Sequence, residues 1–180
     1  MSQIQRTVLI VDRSPEDCQM YQRYLLRDRE YQYKIVAAQS GKEGLGLWEG
    51  HQPDLVLLDY RLPDMDGLEF IAQLRSKIVS QRYLPVIVVA SEGNETIAVE
   101  AIKAGAQDYL IKGQIAPESL RLAVNATIDK AQLHAKLQQN EERLHLALKA
   151  AGMGTWEWHI PSNCVVWSNQ IGRASCRERV

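Results

Sequence analysis

Short apolar segments alternate with longer amphipathic segments along most of the chain. The apolar segments are four to six residues long and rich in β-branched side chains, which predicts strands. The predicted strands are 7–11, 34–38, 54–59, 85–90 and 108–111, and the predicted helices are 15–28, 41–50, 66–78 and 95–104. Three of these strands are nearly continuous apolar runs, as in strands that are covered on both faces. The alternation therefore predicts an α/β fold, a doubly wound five-stranded parallel sheet with flanking helices.

A long helical pattern follows Pro117 and covers 118–151 without an internal glycine or proline. Positions spaced like the seam of a coiled coil are Leu133, Leu137, Asn140, Leu144, Ala147 and Ala151. Two interpretations stay open, since the run covers little more than two heptads. The helix either pairs with a second copy as a homodimer, or it lies as a single amphipathic helix on its own domain. His134 and His145 are predicted to be solvated residues of this helix.

The end of the chain has a different pattern. Alternating runs around 156–158 and 165–167 flank Pro161-Ser162-Asn163 and predict a β-hairpin. A hairpin alone is only marginally stable, so we expect it to begin a second domain that the chain does not complete. The arginine-rich residues 171–180 match the translation of a widely used sequencing adapter. We expect them to be an artefact, with the natural protein continuing differently after about Gln170.

Length, composition and charge limit the domain count, the partners and the location that the chain can have. The 180 residues leave room for one domain plus part of another, and 46% of them are hydrophobic, enough to bury a core. The formal net charge of −1 indicates neither nucleic acid nor an anionic membrane as a partner. Cys18, Cys164 and Cys176 are too far apart for a disulfide framework or a metal-ligand pattern, which favours a cytoplasmic location. No apolar run approaches the roughly 20 residues of a membrane span.

Charged residues follow or end three of the predicted strands. Asp12 follows the first strand, Asp59 ends the third, and Lys112 follows the fifth. Because the carboxyl ends of parallel strands meet at one edge of such a sheet, these side chains should converge. Carboxylates that lie close together stay ionised when a cation joins them, and Mg²⁺ suits such a pocket. Asp59 can then act as a nucleophile toward a phosphoryl group, with Lys112 neutralising its oxygens.

Four segments carry a more specific signal: VLIVDRSPED, LVLLDYRLPDMDGLEF, PVIVVASEGNE and GAQDYLIKG. In order and spacing, over residues 5–125, they resemble the receiver domain of two-component response regulators. The resemblance implies a flavodoxin-like fold and a phosphoacceptor role for Asp59, with a histidine kinase or phosphotransfer protein as the phosphate donor. It implies that Asp12, Asp59 and the backbone carbonyl of Arg61 bind Mg²⁺. It also implies that Lys112 pairs with Asp59 or its phosphate, and that Tyr109 occupies an aromatic switch position.

A later segment, RLHLALKAAGMGTWEWHIPSNCVVWS, resembles the opening of a PAS sensor domain. The predicted organisation is a receiver domain at 1–125, a helical linker at 126–150, the start of a PAS domain at 151–170, and the adapter-like tail. This order is similar to the N-terminal part of a multidomain sensor histidine kinase. The chain itself would then be a phosphoacceptor, and its full-length parent a protein histidine kinase.

Three positions depart from the usual receiver pattern: Arg13, Ala90 and Gly113, which stands where a proline is common. Arg13 stands where a second acid normally binds the metal, so Mg²⁺ should bind weakly unless Glu16 or Asp17 reaches the site. The Arg13 side chain either points to solvent or contacts the phosphoryl group. Ala90 stands where a threonine or serine hydroxyl is usual. Ser91 can replace that hydroxyl only if the chain has already left the strand there, since neighbouring strand residues point to opposite faces.

These features define one main functional hypothesis and two rivals. The first is a phosphoacceptor module that regulates a downstream PAS and kinase apparatus through the long helix. The alternative is a pseudo-receiver, a protein-interaction module that works without phosphate; Arg13 and Ala90 favour it, while Asp59 and Lys112 oppose it. A phosphotransferase or phosphatase of related fold is opposed by Arg61, because one such family has an acid at that position.

Overall fold

A computed structural model of the chain describes residues 4–77, 83–91, 95–151, 156–159 and 164–167. Strands and helices alternate in it as the hydrophobic pattern predicts. The elements are β1 (Ile4–Val11), α1 (Pro15–Leu25), β2 (Tyr31–Ala38), α2 (Gly41–His51), β3 (Leu55–Asp59), α3 (Gly67–Ser76), β4 (Val86–Ala90), α4 (Glu95–Ala104), β5 (Asp108–Ile111), a 3₁₀ turn (Lys112–Gln114), α5 (Pro117–Ala150), β6 (Trp156–His159) and β7 (Cys164–Trp167). The chain divides into two compact units, Met1–His134 and Ala135–Val180.

The first unit contains a five-stranded sheet in the order β2-β1-β3-β4-β5, and every neighbouring pair of strands is parallel. The predicted doubly wound fold is therefore confirmed. Strand β1 lies between β2 and β3, and its Val8 is paired with Ile35 on one side and Leu55 on the other. Because the strand order reverses between β1 and β3, the ends of these two strands border the crevice where such sheets bind ligands.

Alternate residues of β1 supply the two halves of the core. Val8 and Ile10 pack in the cluster that contains Tyr21 of α1 and Val124 of α5. Leu9 and Val11 belong to the cluster on the opposite face; its α3 members are Phe70, Ile71 and Leu74. All of these side chains are fully buried. Each of the aliphatic and phenylalanine side chains stabilises the fold by roughly 1.5–3 kcal/mol through the removal of apolar surface from water.

Helix α2 approaches the sheet closely because Gly44 lacks a side chain. A Cβ atom at this position would lie 2.8 Å from Cγ2 of Val11 and 3.1 Å from Cε2 of Phe70. The helix ends at Gln52, which adopts the left-handed conformation with φ of 45°. This close packing fixes the helix beside β1, the strand that leads to Asp12.

Helix α5 changes character along its length. Its first half packs on the sheet through Leu120, Val124 and Ile128, spaced four residues apart and buried. Further along, the leucines of the predicted seam are exposed, with 56% exposure at Leu137 and 61% at Leu144. The helix thus lies on its own domain at first and then presents unpaired apolar positions. Within the described residues, no helix combines the length and the apolar character needed to cross a membrane.

In the second unit, β6 and β7 form an antiparallel pair, in which Trp156 is opposite Trp167 and His159 is opposite Cys164. The two predicted strands of the hairpin are therefore confirmed. The predicted turn at Pro161-Ser162-Asn163 and the adapter-like residues 171–180 lie outside the described residues.

Candidate functional site

The three predicted charged residues meet at the carboxyl edge of the sheet. Asp12 follows β1, Asp59 ends β3 and Lys112 follows β5, and both carboxylates are buried. The Lys112 ammonium donates a hydrogen bond of 2.7 Å to Oδ2 of Asp12 and lies 3.4 Å from Oδ2 of Asp59. The parallel order of the strands therefore brings together residues that are up to 100 positions apart in the chain.

A third carboxylate comes from helix α1. Lys112 donates a second hydrogen bond, of 2.8 Å, to Oδ2 of Asp17. Asp17 is in the first turn of the helix, where its backbone N–H donates to the hydroxyl of the N-cap Ser14. The neighbouring Glu16 instead accepts a hydrogen bond from the Ser14 hydroxyl. Of the two acids that the sequence offered, Asp17 is the one that approaches the pocket, and its carboxylate is engaged there by Lys112.

Asp12 is held in place from two sides. Its Oδ1 accepts a hydrogen bond of 2.9 Å from the backbone N–H of Ser14, and its Oδ2 accepts from Lys112. Burial lowers the pKa of Lys112, but the hydrogen bonds to Asp12 and Asp17 and the negative charges of Asp12 and Asp59 outweigh it. The net shift is upward, so the ammonium group stays protonated as a fixed positive charge in the pocket.

Asp59 is buried but incompletely satisfied. Its Oδ2 accepts no hydrogen bond, although Lys112 is near enough to form an ion pair with it. Burial and the negative charge of Asp12 raise the pKa of Asp59, while Lys112 and a backbone hydrogen bond from Arg61 act in the opposite direction. A buried polar atom without a partner is costly, and such atoms often mark places where a ligand supplies the missing contact.

The loop after β3 holds the backbone of Arg61 beside Asp59. A bridge pairs Arg61 with Asp66, and the N–H of Gly67 donates a hydrogen bond of 2.7 Å to the carbonyl of Tyr60. Gly67 is needed for this close approach, because a Cβ atom there would lie 3.1 Å from Cα of Tyr60. Asp66 then caps α3 by accepting from the N–H of Glu69. These constraints explain the specific spacing of the LLDYRLPDMDG segment.

Arg13 lies at the mouth of the pocket. Its Nε is 3.8 Å from Oδ2 of Asp59, and its side chain is 54% exposed. The guanidinium group therefore faces both solvent and the carboxylate, and its contact with a phosphoryl group stays a prediction. Lys112 also faces Oδ2 of Asp59, so two cationic side chains lie near this oxygen.

The predicted switch positions lie on the neighbouring strands. Ala90 is the buried last residue of β4, while Ser91 is exposed and outside the strand. The condition under which Ser91 can offer its hydroxyl, that the chain has left the strand, is thus met. Tyr109 in β5 is half-buried and packs on the core cluster that includes Ala101 of α4.

The pocket contains oxygen donors suited to Mg²⁺ together with two cationic side chains. The orphaned Oδ2 of Asp59 and the carboxylate of Asp12 are hard oxygen donors of the type that Mg²⁺ prefers. They fit the ion, but Lys112 and Arg13 already supply positive charge there. Across the described parts of the chain, no three or more histidine, cysteine or acidic side chains form a group placed to hold a metal.

The chain belongs to the response regulator receiver domain family, whose model matches residues 8–125. Receiver domains generally bind Mg²⁺ at the acidic pocket and interact with histidine kinases or phosphotransfer proteins. The chain is 34% identical to the chemotaxis protein CheY of Listeria monocytogenes over 108 residues, which are 58% of this chain and 84% of that protein. It is also similar to the solved receiver domain protein, described as CheY-like, from Methanospirillum hungatei. That likeness has a TM-score of 0.60 and 25% identity over 73% of this chain and 98% of the other.

Longer relatives match over the same region. The chain is 33% identical over 129 residues to the cyclic di-GMP phosphodiesterase response regulator RpfG of Xanthomonas campestris. The match covers 72% of this chain but only 34% of RpfG. The chain therefore spans about a third of the length of this relative.

Proposed function

We propose that the chain is a phosphoacceptor receiver module of a two-component phosphorelay and that Asp59 is the residue phosphorylated. The observation that supports this most strongly is the buried Asp59 carboxylate, whose Oδ2 accepts no hydrogen bond and faces Lys112 at 3.4 Å. A nucleophile needs an oxygen that is not already engaged, together with nearby positive charge for the incoming phosphoryl group. Asp59 has both.

The transfer uses the residues of the pocket directly. A carboxylate oxygen of Asp59 attacks the phosphorus of a phosphohistidine on the donor protein and forms an acyl phosphate. The phosphorus–nitrogen bond breaks, and the imidazole nitrogen keeps the electron pair and takes up a proton from water. Lys112 stabilises the charge on the phosphoryl oxygens, because its ammonium group already lies beside the reacting carboxylate.

Asp12, Asp59 and the backbone carbonyl of Arg61 would hold Mg²⁺. When bound, the ion neutralises charge on the phosphoryl oxygens. Mg²⁺ would share the Asp12 carboxylate with the ammonium group of Lys112, and the guanidinium group of Arg13 would repel the ion. We therefore expect weaker Mg²⁺ binding than in a receiver with two adjacent acids.

The response to phosphorylation would be weak, because Ala90 has no hydroxyl to bond the phosphoryl group. Ser91, exposed just beyond β4, would supply that contact in its place, and Tyr109 would follow the movement of the loop. The two arrangements would differ in population, since phosphate shifts the equilibrium only by as much as it binds one of them better.

The output would lie beyond the receiver. Helix α5 continues for 34 residues, and the paired strands β6 and β7 follow it. With the PAS-like sequence, this supports a linker into a PAS domain of a cytoplasmic sensor histidine kinase. The exposed seam leucines of α5 support a homodimer through this linker.

The test is phosphorylation of the full chain by acetyl phosphate, with and without Mg²⁺, followed by intact-mass measurement. We expect a mass gain of one phosphoryl group that requires Asp59. The matched control is Asp59→Asn, which keeps the shape of the side chain but removes the nucleophile. A second arm supplies a phosphorylated histidine phosphotransfer protein as the donor.

If neither donor modifies the chain at high Mg²⁺, the proposed function is wrong. The pseudo-receiver, which binds a partner without phosphate, would then be the better description. Modification of the Asp59→Asn variant to the same extent would show that another residue is the acceptor.

A further inference from the structure

We propose that Arg13 is a phosphoryl ligand, a residue whose guanidinium group binds the phosphoryl oxygens on Asp59 and so reduces the requirement for Mg²⁺. This inference rests on the proposed function of Asp59. It assigns to Arg13 a positioning and charge-neutralising role at the position where receivers usually have an acid.

The geometry of the pocket supports this assignment. Nε of Arg13 lies 3.8 Å from Oδ2 of Asp59, too far for a hydrogen bond and near enough for an ion pair. That oxygen is buried and accepts no hydrogen bond from any described group. A phosphoryl group on Asp59 adds oxygens that extend outward from the carboxylate. They would come within reach of a guanidinium group placed at the mouth of the pocket.

The other side-chain donors of the pocket are few: one N–H of Lys112 is left, and Ser91 would add one hydroxyl. Lys112 has three N–H donors, of which two are used by Asp12 and Asp17. Ala90 offers no hydroxyl. Three phosphoryl oxygens therefore need further donors, and arginine carries five in a planar fork that matches phosphate geometry.

The charge of the pocket also supports a phosphoryl-binding role for Arg13. An acid at position 13 would add one negative charge, whereas Arg13 adds one positive charge. The described pocket then contains three carboxylates and two cations. The carboxylates are those of Asp12, Asp17 and Asp59, and the cations are Lys112 and Arg13. This balance weakens the attraction for Mg²⁺ and strengthens the attraction for an anionic phosphoryl group.

The experiment measures binding of fluoroberyllate, a phosphoryl mimic, to the full chain by ¹⁹F NMR over a series of Mg²⁺ concentrations. The variants are Arg13→Gln, Arg13→Lys and Arg13→Asp, with Asp59→Asn as the negative control. Arg13 is half-exposed, so these substitutions should leave the fold intact, which circular dichroism checks.

For Arg13→Gln we expect about ten-fold weaker fluoroberyllate binding at low Mg²⁺, equivalent to about 1.4 kcal/mol. Arg13→Lys should recover part of the loss, because it restores the charge without the fork. Arg13→Asp should bind fluoroberyllate poorly without Mg²⁺, but reach half-saturation with Mg²⁺ at a lower concentration than the wild type.

The assignment is wrong if Arg13→Gln binds fluoroberyllate as tightly as the wild type at every Mg²⁺ concentration. That result would make Arg13 a surface residue while leaving the phosphoacceptor function intact. A different failure is possible, in which no variant gives a signal that depends on Asp59, even Arg13→Asp at saturating Mg²⁺. This outcome would overturn the proposed function itself, and the role of Arg13 with it.

Discussion

Arg6 is a buried charged residue at the end of β1 opposite to Asp12. Its guanidinium group donates hydrogen bonds to Oδ1 of Asn125 and Oδ1 of Asp129, and it lies 3.5 Å from the centre of the Tyr31 ring. These contacts join β1 and the edge strand β2 to helix α5. The side chain of Arg6 thus links the sheet to helix α5.

Replacing Arg6 with methionine should destabilise the fold. The change keeps an apolar stem over Tyr31 but removes both side-chain hydrogen bonds to α5, leaving Asn125 with the Tyr33 hydroxyl as its donor. We expect a loss of roughly 1–3 kcal/mol in the free energy of unfolding. Urea denaturation followed by circular dichroism measures it. Arg23→Met, at an exposed arginine of α1, is the matched control and should stay within about 0.5 kcal/mol of the wild type. Equal effects of the two changes would contradict the anchoring role.

At the residue scale, the sequence predicted which side chains meet but not how they pair. The convergence of Asp12, Asp59 and Lys112 followed from parallel strands whose ends share one edge. The hydrogen bonds of Lys112 to Asp12 and Asp17 depend on the rotation of α1 about its axis, which spacing does not specify. The position of Arg13 depends likewise on the loop conformation. His134, predicted as solvated, is exposed but also stacks on the ring of Tyr83 at 4.8 Å.

At the scale of elements, helix α2 is capped by a residue from a distant loop. The backbone N–H groups of Gly41 and Lys42 donate to the two carboxylate oxygens of Asp64, at 2.8 and 2.9 Å. A negative charge at a helix N-terminus is stabilising. Asp64 thus ties the loop that carries Arg61 to α2.

Removing this cap should give a stability loss that depends on pH. Burial alone would raise the pKa of Asp64, but the hydrogen bonds from Lys42 and Gly41 outweigh it, so the pKa is lowered. The stability it contributes is therefore present above the ordinary aspartate pKa and is lost as pH falls through the lowered value. Asp64→Ala should cost about 1 kcal/mol at neutral pH, and the difference from wild type should shrink in acid.

The free energy of unfolding of the wild type and of Asp64→Ala, measured with urea or heat from neutral to acidic pH, checks this prediction. Asp64→Asn is the matched control, because it keeps an acceptor for one N–H but cannot titrate. Its stability difference from Asp64→Ala should not change with pH. A constant difference between wild type and Asp64→Ala at all pH values would show that the charge of Asp64 does not stabilise α2.

The fold class could be predicted because apolar residues are spaced differently along strands and along helices. Several element boundaries could not be predicted. Strand β1 begins at Ile4 rather than residue 7, because Gln5 and Arg6 also pair with β2 although polar residues did not indicate a strand there. Helix α1 ends at Leu25 rather than residue 28, where no glycine or proline marks the end. Helix α3 begins at Gly67 rather than residue 66, because Asp66 is its cap. Element ends commonly shift by such amounts.

At the scale of the whole molecule, helix α5 is the element that would carry a signal out of the receiver in the proposed function. Its contact with the buried core ends at Ile128, and the leucines beyond that point are exposed. In the heptad frame of the seam, Lys136 and Glu141 occupy the flanking positions that pair between the two helices of a parallel coiled coil. Their opposite charges favour a parallel pair in register, which would place two receivers side by side.

This dimer can be tested with two leucines that differ only in their place on the helix. Leu144 belongs to the seam and Leu146 does not, yet their exposures are similar at 61% and 64%. In a coiled coil, Leu144→Asp would place two buried carboxylates against each other, and we expect the dissociation constant of the dimer to rise at least about 100-fold. Leu146→Asp should leave it nearly unchanged, because that side chain stays in water. Sedimentation equilibrium of the full chain over a range of concentrations measures both. A wild-type chain that stays monomeric, or a dimer that both substitutions weaken equally, would contradict the seam and leave α5 as a single helix.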